Sequence, residues 1–407
     1  MLRSLAIALA ALSATPAFAQ SAPTCNDPDV RSIERPYLSS EPQGRKFTFK
    51  YRHRLAKPGQ PTLVYIPGGP GGDSINQRGN QMTTPEGWGL IQTDPRGIGC
   101  NELTGQVPDA FYTSEHLADD IVAMLKHAKL ERYILHGISY GTVVGTIAAV
   151  KAEKAGVKPE AVILEGILGR VFAPGEVSQT FIDEWQITMD QRLAPQVAEI
   201  FKLGEPLGFT SEEWGRFLST YLTIGILPKP KYDFLPAYLM GVVPEAPVEL
   251  KDALKSMVKS AATPEAKPAA EHMFKIIACH EIAGEVTSFH FNADFTLKNG
   301  KLSAVPGHLC DGIALDRPFD AADWQTTAPL YYFEGDRDPS TPQAQALYNY
   351  DSQKLAKKKF VSVEGGSHVA MTMNLADCRP AILSEIADGG DKLEDALKTC
   401  VLGTKIR

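Results

Sequence analysis

The fold of this 407-residue chain is decided by the stretch Tyr133-Ile134-Leu135-His136-Gly137-Ile138-Ser139-Tyr140-Gly141-Thr142. A short apolar run ends in a Gly-X-Ser-X-Gly turn, and a second apolar run, residues 143–150, follows. This order predicts a strand, a tight turn and a helix, the setting in which a serine hydroxyl is presented as a nucleophile. We expect Ser139 to adopt a strained backbone conformation above the positive end of that helix. A side chain at Gly137 or Gly141 would collide with the neighbouring strand or helix.

The motif alone is weak evidence. The chain contains 34 glycines, and at ordinary serine usage chance would supply about 0.2 copies in a chain of this length. The rest of the chain has to support the interpretation.

Short apolar runs alternate with helical patterns along the chain, which predicts an α/β fold with a mostly parallel sheet and helices on both faces. A helix is predicted to start at Ser114, which caps it. Asp94 and Arg96, which follow one of the strands, are expected to form a structural ion pair. Besides the strand before Ser139, predicted strands cover residues 46–54, 62–66, 88–93, 161–164, 329–333 and 360–363.

The pattern becomes helical between residues 171 and 324. Aromatic and aliphatic residues recur there at helical spacing, and one of these runs follows a Thr210-Ser211 cap. Thr263-Pro264-Glu265 predicts the start of a further helix, with proline at its first position. We therefore expect a core formed by residues 20–170 and 325–407, interrupted by a helical cap insertion of residues 171–324.

Residues 1–19 have the pattern of a cleaved secretory signal peptide. Arg3 precedes a short apolar run, and Ala17-Phe18-Ala19 forms a small-X-small cleavage signature. The apolar run is too short to span a bilayer, so we expect export to the periplasm or medium rather than a membrane anchor.

Charge and cysteine content exclude some classes of function. The net charge is −7, without the basic stripe of a nucleic-acid-binding protein. The chain has six cysteines, an even number that predicts disulfides in an exported protein. They form no close Cys-x-x-Cys pair, so we expect no metal site.

Two later loops can activate the serine, which needs a base that is itself oriented by an acid. The loop 334–339 places acidic residues just past one predicted strand, and His368 lies just past the next. Groups past the ends of parallel strands converge at the carboxyl edge of the sheet. The glycine run 68–72 follows another strand, where it can present a backbone N–H opposite that of Tyr140 to stabilise an oxyanion.

Five motifs together resemble the α/β-hydrolase family of proline iminopeptidases and tripeptidyl aminopeptidases, above all its exported, cysteine-bearing branch. They are Gly68-Gly69-Pro70-Gly71-Gly72, Asp94-Pro95-Arg96-Gly97-Ile98-Gly99, Gly137-Ile138-Ser139-Tyr140-Gly141, Gly335-Asp336-Arg337-Asp338-Pro339 and Gly366-Ser367-His368. The resemblance covers both halves of the core and the insertion only loosely.

The resemblance implies a role for each site residue. Ser139 is the expected nucleophile, His368 the general base and acid, and Asp338 the orienting acid, with Asp336 two residues away as the alternative. Gly69 and Tyr140 are the expected oxyanion-hole donors. His136 is expected to pack beneath the turn rather than act as a base.

The resemblance also bears on the cysteines and the cap. It implies the pairs Cys378–Cys400 and Cys279–Cys310, which leaves Cys25 with Cys100 by elimination. Proline iminopeptidases bind the substrate amine with a cap glutamate, and here Glu281 and Glu285 offer one, Glu281 being nearer to Cys279. The alternative is that both glutamates face solvent.

The sequence therefore predicts an exported serine hydrolase that removes residues or short peptides from peptide amino termini, without a cofactor. A carboxylesterase or another small-ester hydrolase is the alternative, because the same triad cleaves esters. A non-catalytic binding protein is disfavoured, since it has no chemical need for Ser139, Asp338 and His368 together.

Overall fold

The computed structural model describes residues 24–77, 83–105, 107–224, 234–263, 267–283, 295–305 and 309–407. The predicted signal peptide lies outside these residues. Strands β1 to β11 span Val30–Pro36, Lys46–Arg54, Thr62–Ile66, Gly89–Thr93, Tyr133–Ile138, Ala161–Glu165, Phe295–Lys298, Lys301–Ala304, Leu330–Gly335, Lys358–Val363 and Thr404–Ile406. Helices α1 to α11 span Ser114–Ala128, Tyr140–Lys154, Glu176–Ile187, Pro195–Leu203, Ser211–Ile224, Phe234–Leu239, Val248–Ala262, Pro268–Ile277, Gln343–Ser352, Arg379–Ala387 and Leu393–Leu397.

Nine of the described strands form one sheet in the order β1-β2-β4-β3-β5-β6-β9-β10-β11. The pairs from β4 to β10 are parallel, and antiparallel strands close both edges. The chain runs from β3 outward to β4 and then back past β3 to β5, so the strand order reverses at β3. Open α/β sheets bind ligands at such a point, outside the carboxyl ends of the strands.

The central strands are buried on both faces. Alternate residues of β3 belong to different cores: Leu63 packs with residues of α10 and α11, whereas Val64 packs with residues of α1 and α2. This follows from the two-residue period of a strand, which sends successive side chains to opposite faces. The predicted fold class is confirmed: the chain has the α/β-hydrolase fold, a mostly parallel sheet between two layers of helices.

Between β6 and β9 the described chain forms helices α3 to α8 and a β7–β8 hairpin that is separate from the main sheet. We call this stretch the inserted segment. The predicted cap of α5 is confirmed, because the Glu213 N–H donates to the Thr210 hydroxyl and the Glu213 carboxylate accepts from the Thr210 N–H. None of the described helices, in the inserted segment or in the core, is long and apolar enough to cross a membrane.

Two predictions about the starts of helices differ from the structure. Helix α1 is capped by Thr113, whose hydroxyl accepts from the His116 N–H, and Ser114 is its first residue. Thr263 is the C-terminal cap of α7 and does not start a helix, Pro264 and Glu265 lie outside the described residues, and α8 begins at Pro268.

The expected ion pair between Asp94 and Arg96 is also not formed. The Arg96 guanidinium reaches Asp120 on α1, 2.8 Å from its carboxylate, and the Asp94 carboxylate accepts three backbone N–H bonds from Ser74, Ile75 and Cys100. The two side chains leave the same loop in different directions because each finds its partners on a different element.

All three expected disulfides are present, and no described cysteine is free. One bridge ties the segment before β1 to the loop after β4, through Cys25 and Cys100. Another lies within the inserted segment, and the third joins α10 to the tail that leads into β11. These bridges are consistent with an exported protein.

Candidate active site

Ser139 lies at the turn between β5 and α2. Its backbone has φ 56° and ψ −127°, a region that a residue with a side chain occupies only under strain. Its N–H donates to the Glu165 carbonyl, 2.8 Å away. Ser139 is partly exposed, while Ile138 and Tyr140 on either side are buried. The turn thus presents the serine above the first turn of α2, as predicted.

The glycines of the motif are needed sterically. A Cβ at Gly137 would lie 2.3 Å from the Gly141 carbonyl oxygen, and one at Gly141 would lie 2.3 Å from the Ile66 carbonyl oxygen. Both distances are far inside van der Waals contact and involve backbone atoms that cannot move aside. Glycine at both positions therefore lets β3, β5 and α2 meet at the turn.

His368 and Asp338 form a hydrogen-bonded pair. The Asp338 loop follows β9 and the His368 loop follows β10, so neighbouring parallel strands deliver the two side chains to one edge. The imidazole Nδ1 lies 2.7 Å from Asp338 Oδ2, and both residues are buried. The alternative acid, Asp336, instead accepts a 2.7 Å bond from the Gly365 N–H. Of the two acids, the structure thus brings Asp338 to the imidazole.

The electrostatics of this pair suit a base oriented by an acid. Burial would lower the pKa of His368, but the charge and hydrogen bond of Asp338 hold that pKa above its ordinary value. Burial would likewise raise the pKa of Asp338, but the facing imidazole and the Thr341 hydroxyl hold it below its ordinary value. An ionised Asp338 accepts from Nδ1–H, which leaves the other ring nitrogen free to take a proton.

The His368 ring packs close to the serine turn. A Cβ on Gly166 would lie 2.8 Å from His368 Cε1, and the preceding residue, Glu165, supplies the carbonyl that binds the Ser139 N–H. In the described part of the chain no hydrogen bond joins the Ser139 hydroxyl to the imidazole. Catalytic hydrogen bonds are often long without substrate and shorten when it binds.

The glycine run 68–72 lies against the serine. A Cβ at Gly68 would fall 2.8 Å from Ser139 Cβ, and Gly69 has φ 120°, which favours glycine. The Gly69–Pro70 peptide bond is cis. Tyr140 is the first residue of α2, where backbone N–H groups lack partners inside the helix. That the Gly69 and Tyr140 N–H groups stabilise an oxyanion stays a prediction.

Glu281 is buried, 4% exposed, and does not face solvent. Its carboxylate accepts 3.2 Å bonds from the Ser114 N–H and a short bond from the Ser114 hydroxyl, and the Arg317 guanidinium lies 3.6 Å away. Burial raises the pKa of Glu281 to about 7. The Ser114 hydroxyl is also 2.7 Å from the Tyr140 hydroxyl, which links Glu281 to the residue after Ser139. Glu285 lies outside the described residues.

Two further buried residues, Glu165 and Glu334, support the site, and the sequence analysis did not single them out. Glu165 accepts from the Thr372 N–H at 2.9 Å and lies 2.8 Å from His136 Nε2, so it ties the loop after His368 to the strand under the serine. His136 is fully buried there, which confirms that it packs beneath the turn. Glu334 lies in β9, close to Asp338. In the sequence, Glu165 and Glu334 could have been found as single acidic residues in otherwise apolar strands.

The inserted segment contacts the site from above. The His368 N–H donates to the Thr223 carbonyl at 3.2 Å, and the Thr223 hydroxyl lies 2.9 Å from that of Ser340 in the acid loop. A Cβ on Gly71 would meet Ala270 of α8 at 3.0 Å. The inserted segment therefore touches the histidine loop, the acid loop and the glycine loop. Among the described residues, no cluster of three or more His, Cys, Asp or Glu side chains could hold a metal ion.

Comparisons with known proteins add the following. No protein-family model matches the chain, and no curated protein sequence matches it. Solved structures align over most of their length. A proline iminopeptidase from Mycobacterium smegmatis is 18% identical, with a TM-score of 0.44, over 90% of this chain and all of that one.

Two enzymes of other specificity align as well. A thermophilic esterase from Thermogutta terrifontis is 14% identical, with a TM-score of 0.46, over 88% of this chain and 98% of that one. A 2-hydroxy-6-oxo-6-phenylhexa-2,4-dienoate hydrolase from Rhodococcus sp. strain RHA1 is 17% identical, with a TM-score of 0.45, over 88% of this chain and 99% of that one. Identities this low do not distinguish between substrates, and the fold assignment rests on the topology described above.

Proposed function

We propose that the chain is a serine hydrolase in which Ser139 attacks a carbonyl carbon, His368 takes the serine proton and later gives it to the leaving group, and Asp338 orients the imidazole. The observation that carries the proposal is the convergence of a strained serine turn and a 2.7 Å His368–Asp338 pair at one edge of the sheet. The Gly69 and Tyr140 N–H groups would stabilise the oxyanion of the acyl-enzyme pathway.

We further propose that its substrates are peptides, from whose amino termini it removes residues or short pieces. The motif resemblance supports this class. The contacts of the inserted segment with His368, Ser340 and Gly71 support it as well, because a segment packed over the site would restrict access to chain ends. Residues 171–324 would form this cap. Cleavage of residues 1–19 would release the enzyme to the periplasm or the medium.

Glu281 is the proposed partner of the substrate amine. A free amino terminus is a cation, and binding it in a partly dry pocket requires an anion to offset its lost hydration. Glu281 is buried, carries a carboxylate and connects through Ser114 to Tyr140, which places it within two side chains of the serine turn.

The contacts of Glu281 also support the second candidate, a carboxylesterase. The Glu281 carboxylate is already engaged by Ser114 and Arg317, and its pKa of about 7 leaves it partly neutral near pH 7. An ester substrate needs no such anion, and the same triad would cleave it.

A substrate panel tests the choice between the two. Aminoacyl and tripeptidyl amides with a free amine would be compared with their N-acetylated forms and with short acyl esters. We expect efficient cleavage of the free-amine peptides and loss of activity on N-acetylation. Cleavage of the esters alone would contradict the peptidase proposal and support the esterase.

A further inference from the structure

A second carboxyl group lies behind the proposed triad. Glu334 of β9 is fully buried, and its Oε2 accepts a 3.0 Å bond from the Ile167 N–H. Its other oxygen, Oε1, is buried and receives no hydrogen bond from a described donor. The Asp338 carboxylate lies within side-chain hydrogen-bonding reach of Glu334. Two carboxyl groups in contact cannot both be ionised without a large repulsion, so one of them holds a proton.

The hydrogen bonds decide which one holds it. Asp338 Oδ1 accepts from the Ser340 and Thr341 N–H groups at 2.8 and 3.1 Å. Its Oδ2 accepts from the Thr341 hydroxyl at 2.6 Å and from the His368 ring at 2.7 Å. Such donors stabilise a carboxylate. Glu334 receives one backbone N–H, so the proton belongs on Glu334.

The surrounding charges agree with this assignment. Burial, followed by the charge of Asp338, raises the pKa of Glu334 well above its ordinary value. In the described part of the chain, Glu165 at the end of β6 is the further ionisable group whose charge acts on both Glu334 and the His368 imidazole. Glu165 adds negative potential at both Glu334 and His368, which disfavours a further negative charge there.

We propose that Glu334 is a positioning residue of the triad, which remains a neutral carboxylic acid and donates a hydrogen bond from Oε1 to the Asp338 carboxylate. The bond fixes the orientation of Asp338 and withdraws part of its charge, so that Asp338 stabilises the His368 imidazolium less. His368 therefore stays neutral, and able to accept the Ser139 proton, to lower pH. This inference rests on the proposed roles of Ser139, His368 and Asp338.

Infrared spectroscopy tests the protonation state without any assay of activity. Protein labelled with [13C]glutamate would be measured at pH 9, where Glu281, with its pKa of about 7, is ionised. We expect an isotope-shifted carbonyl band of a protonated carboxylic acid in the wild type. The band should disappear in Glu334→Gln and persist in the matched variant Glu281→Gln. A labelled wild type without this band overturns the proposal, and that result requires no variant to fold.

The positioning role is tested by the pH dependence of fluorophosphonate labelling, which does not depend on the natural substrate. In Glu334→Leu the donor to Asp338 is lost, so the acid midpoint set by His368 should move up by about 0.5 to 1 pH unit. In Glu334→Gln the side-chain amide can still donate a hydrogen bond to Asp338. The pH midpoint of labelling should therefore stay unchanged, even if the maximum labelling rate changes.

If Glu334 is instead ionised, either variant removes a negative charge, and the midpoint moves down, which overturns the proposal. A downward shift in Glu334→Gln is sufficient for this conclusion should the leucine variant not fold. Wild-type protein that is not labelled at all refutes the proposed serine mechanism, whereas the infrared band still reports on the protonation of Glu334.

Discussion

Replacing Asp338 by Asn should cost about 10⁴-fold in kcat/KM, or about 5.5 kcal/mol of transition-state stabilisation. The structure shows why the loss should be this large. Asp338 Oδ1 is held by the Ser340 and Thr341 N–H groups, so the single oxygen of Asn will occupy that position. Its NH₂ will then face His368 Nδ1, 2.7 Å away in the present structure. The imidazole must accept there and carry its proton on the other nitrogen, where it can no longer take the Ser139 proton.

Asp336→Asn is the matched control. It makes the same chemical change two residues away, on an oxygen that accepts from the Gly365 N–H, and should change kcat/KM less than about threefold. Both variants would be compared with the wild type on one amide or ester that the wild type cleaves, with circular dichroism to confirm folding. A loss near 10³-fold in Asp336→Asn, with a loss under tenfold in Asp338→Asn, would refute the assignment.

Three further predictions follow from the same contacts. Because the charge and hydrogen bond of Asp338 hold the pKa of His368 above its ordinary value of about 6.5, kcat/KM should fall as pH decreases, with a midpoint above that ordinary value; a rate that is flat from pH 5 to 8 would count against a histidine base. Glu281→Gln should raise KM or cut kcat/KM for free-amine peptides while sparing small acyl esters, and equal effects on both classes, or none, would remove Glu281 from the substrate site. Changing Cys378 and Cys400 to Ser together should lower the free energy of unfolding by about 3 kcal/mol in urea denaturation, and an unchanged midpoint would show that this bridge does not stabilise the fold.

The central strands were predictable because they are short, apolar and buried on both faces. The antiparallel edge strand β1 was not predictable from the sequence. Strand β1 reads VRSIERP and is largely polar, because an edge strand exposes much of its surface and lacks a strong apolar signature. The β7–β8 hairpin and β11 were missed for a related reason: each has only three or four residues, too few to show a period.

The site was predictable where chemistry limits the residue types, and not where contacts join distant segments. The order of Ser139, the acid loop and His368 along the chain indicated a triad. The pairing of Arg96 with Asp120 instead depends on how a loop packs against α1, which local sequence does not report. Likewise, Glu334 and Glu165 each end or nearly end an apolar strand. Only the three-dimensional arrangement shows that they lie behind Asp338 and His368.

Mass spectrometry of the fluorophosphonate-treated protein tests the central claim most directly. We predict a single covalent adduct on the peptide that contains Ser139, formed by the folded wild type and absent from Ser139→Ala, which should lose at least about 10⁴-fold in turnover while keeping its fold. An adduct that persists in Ser139→Ala, or a folded wild type that forms none, would contradict the account.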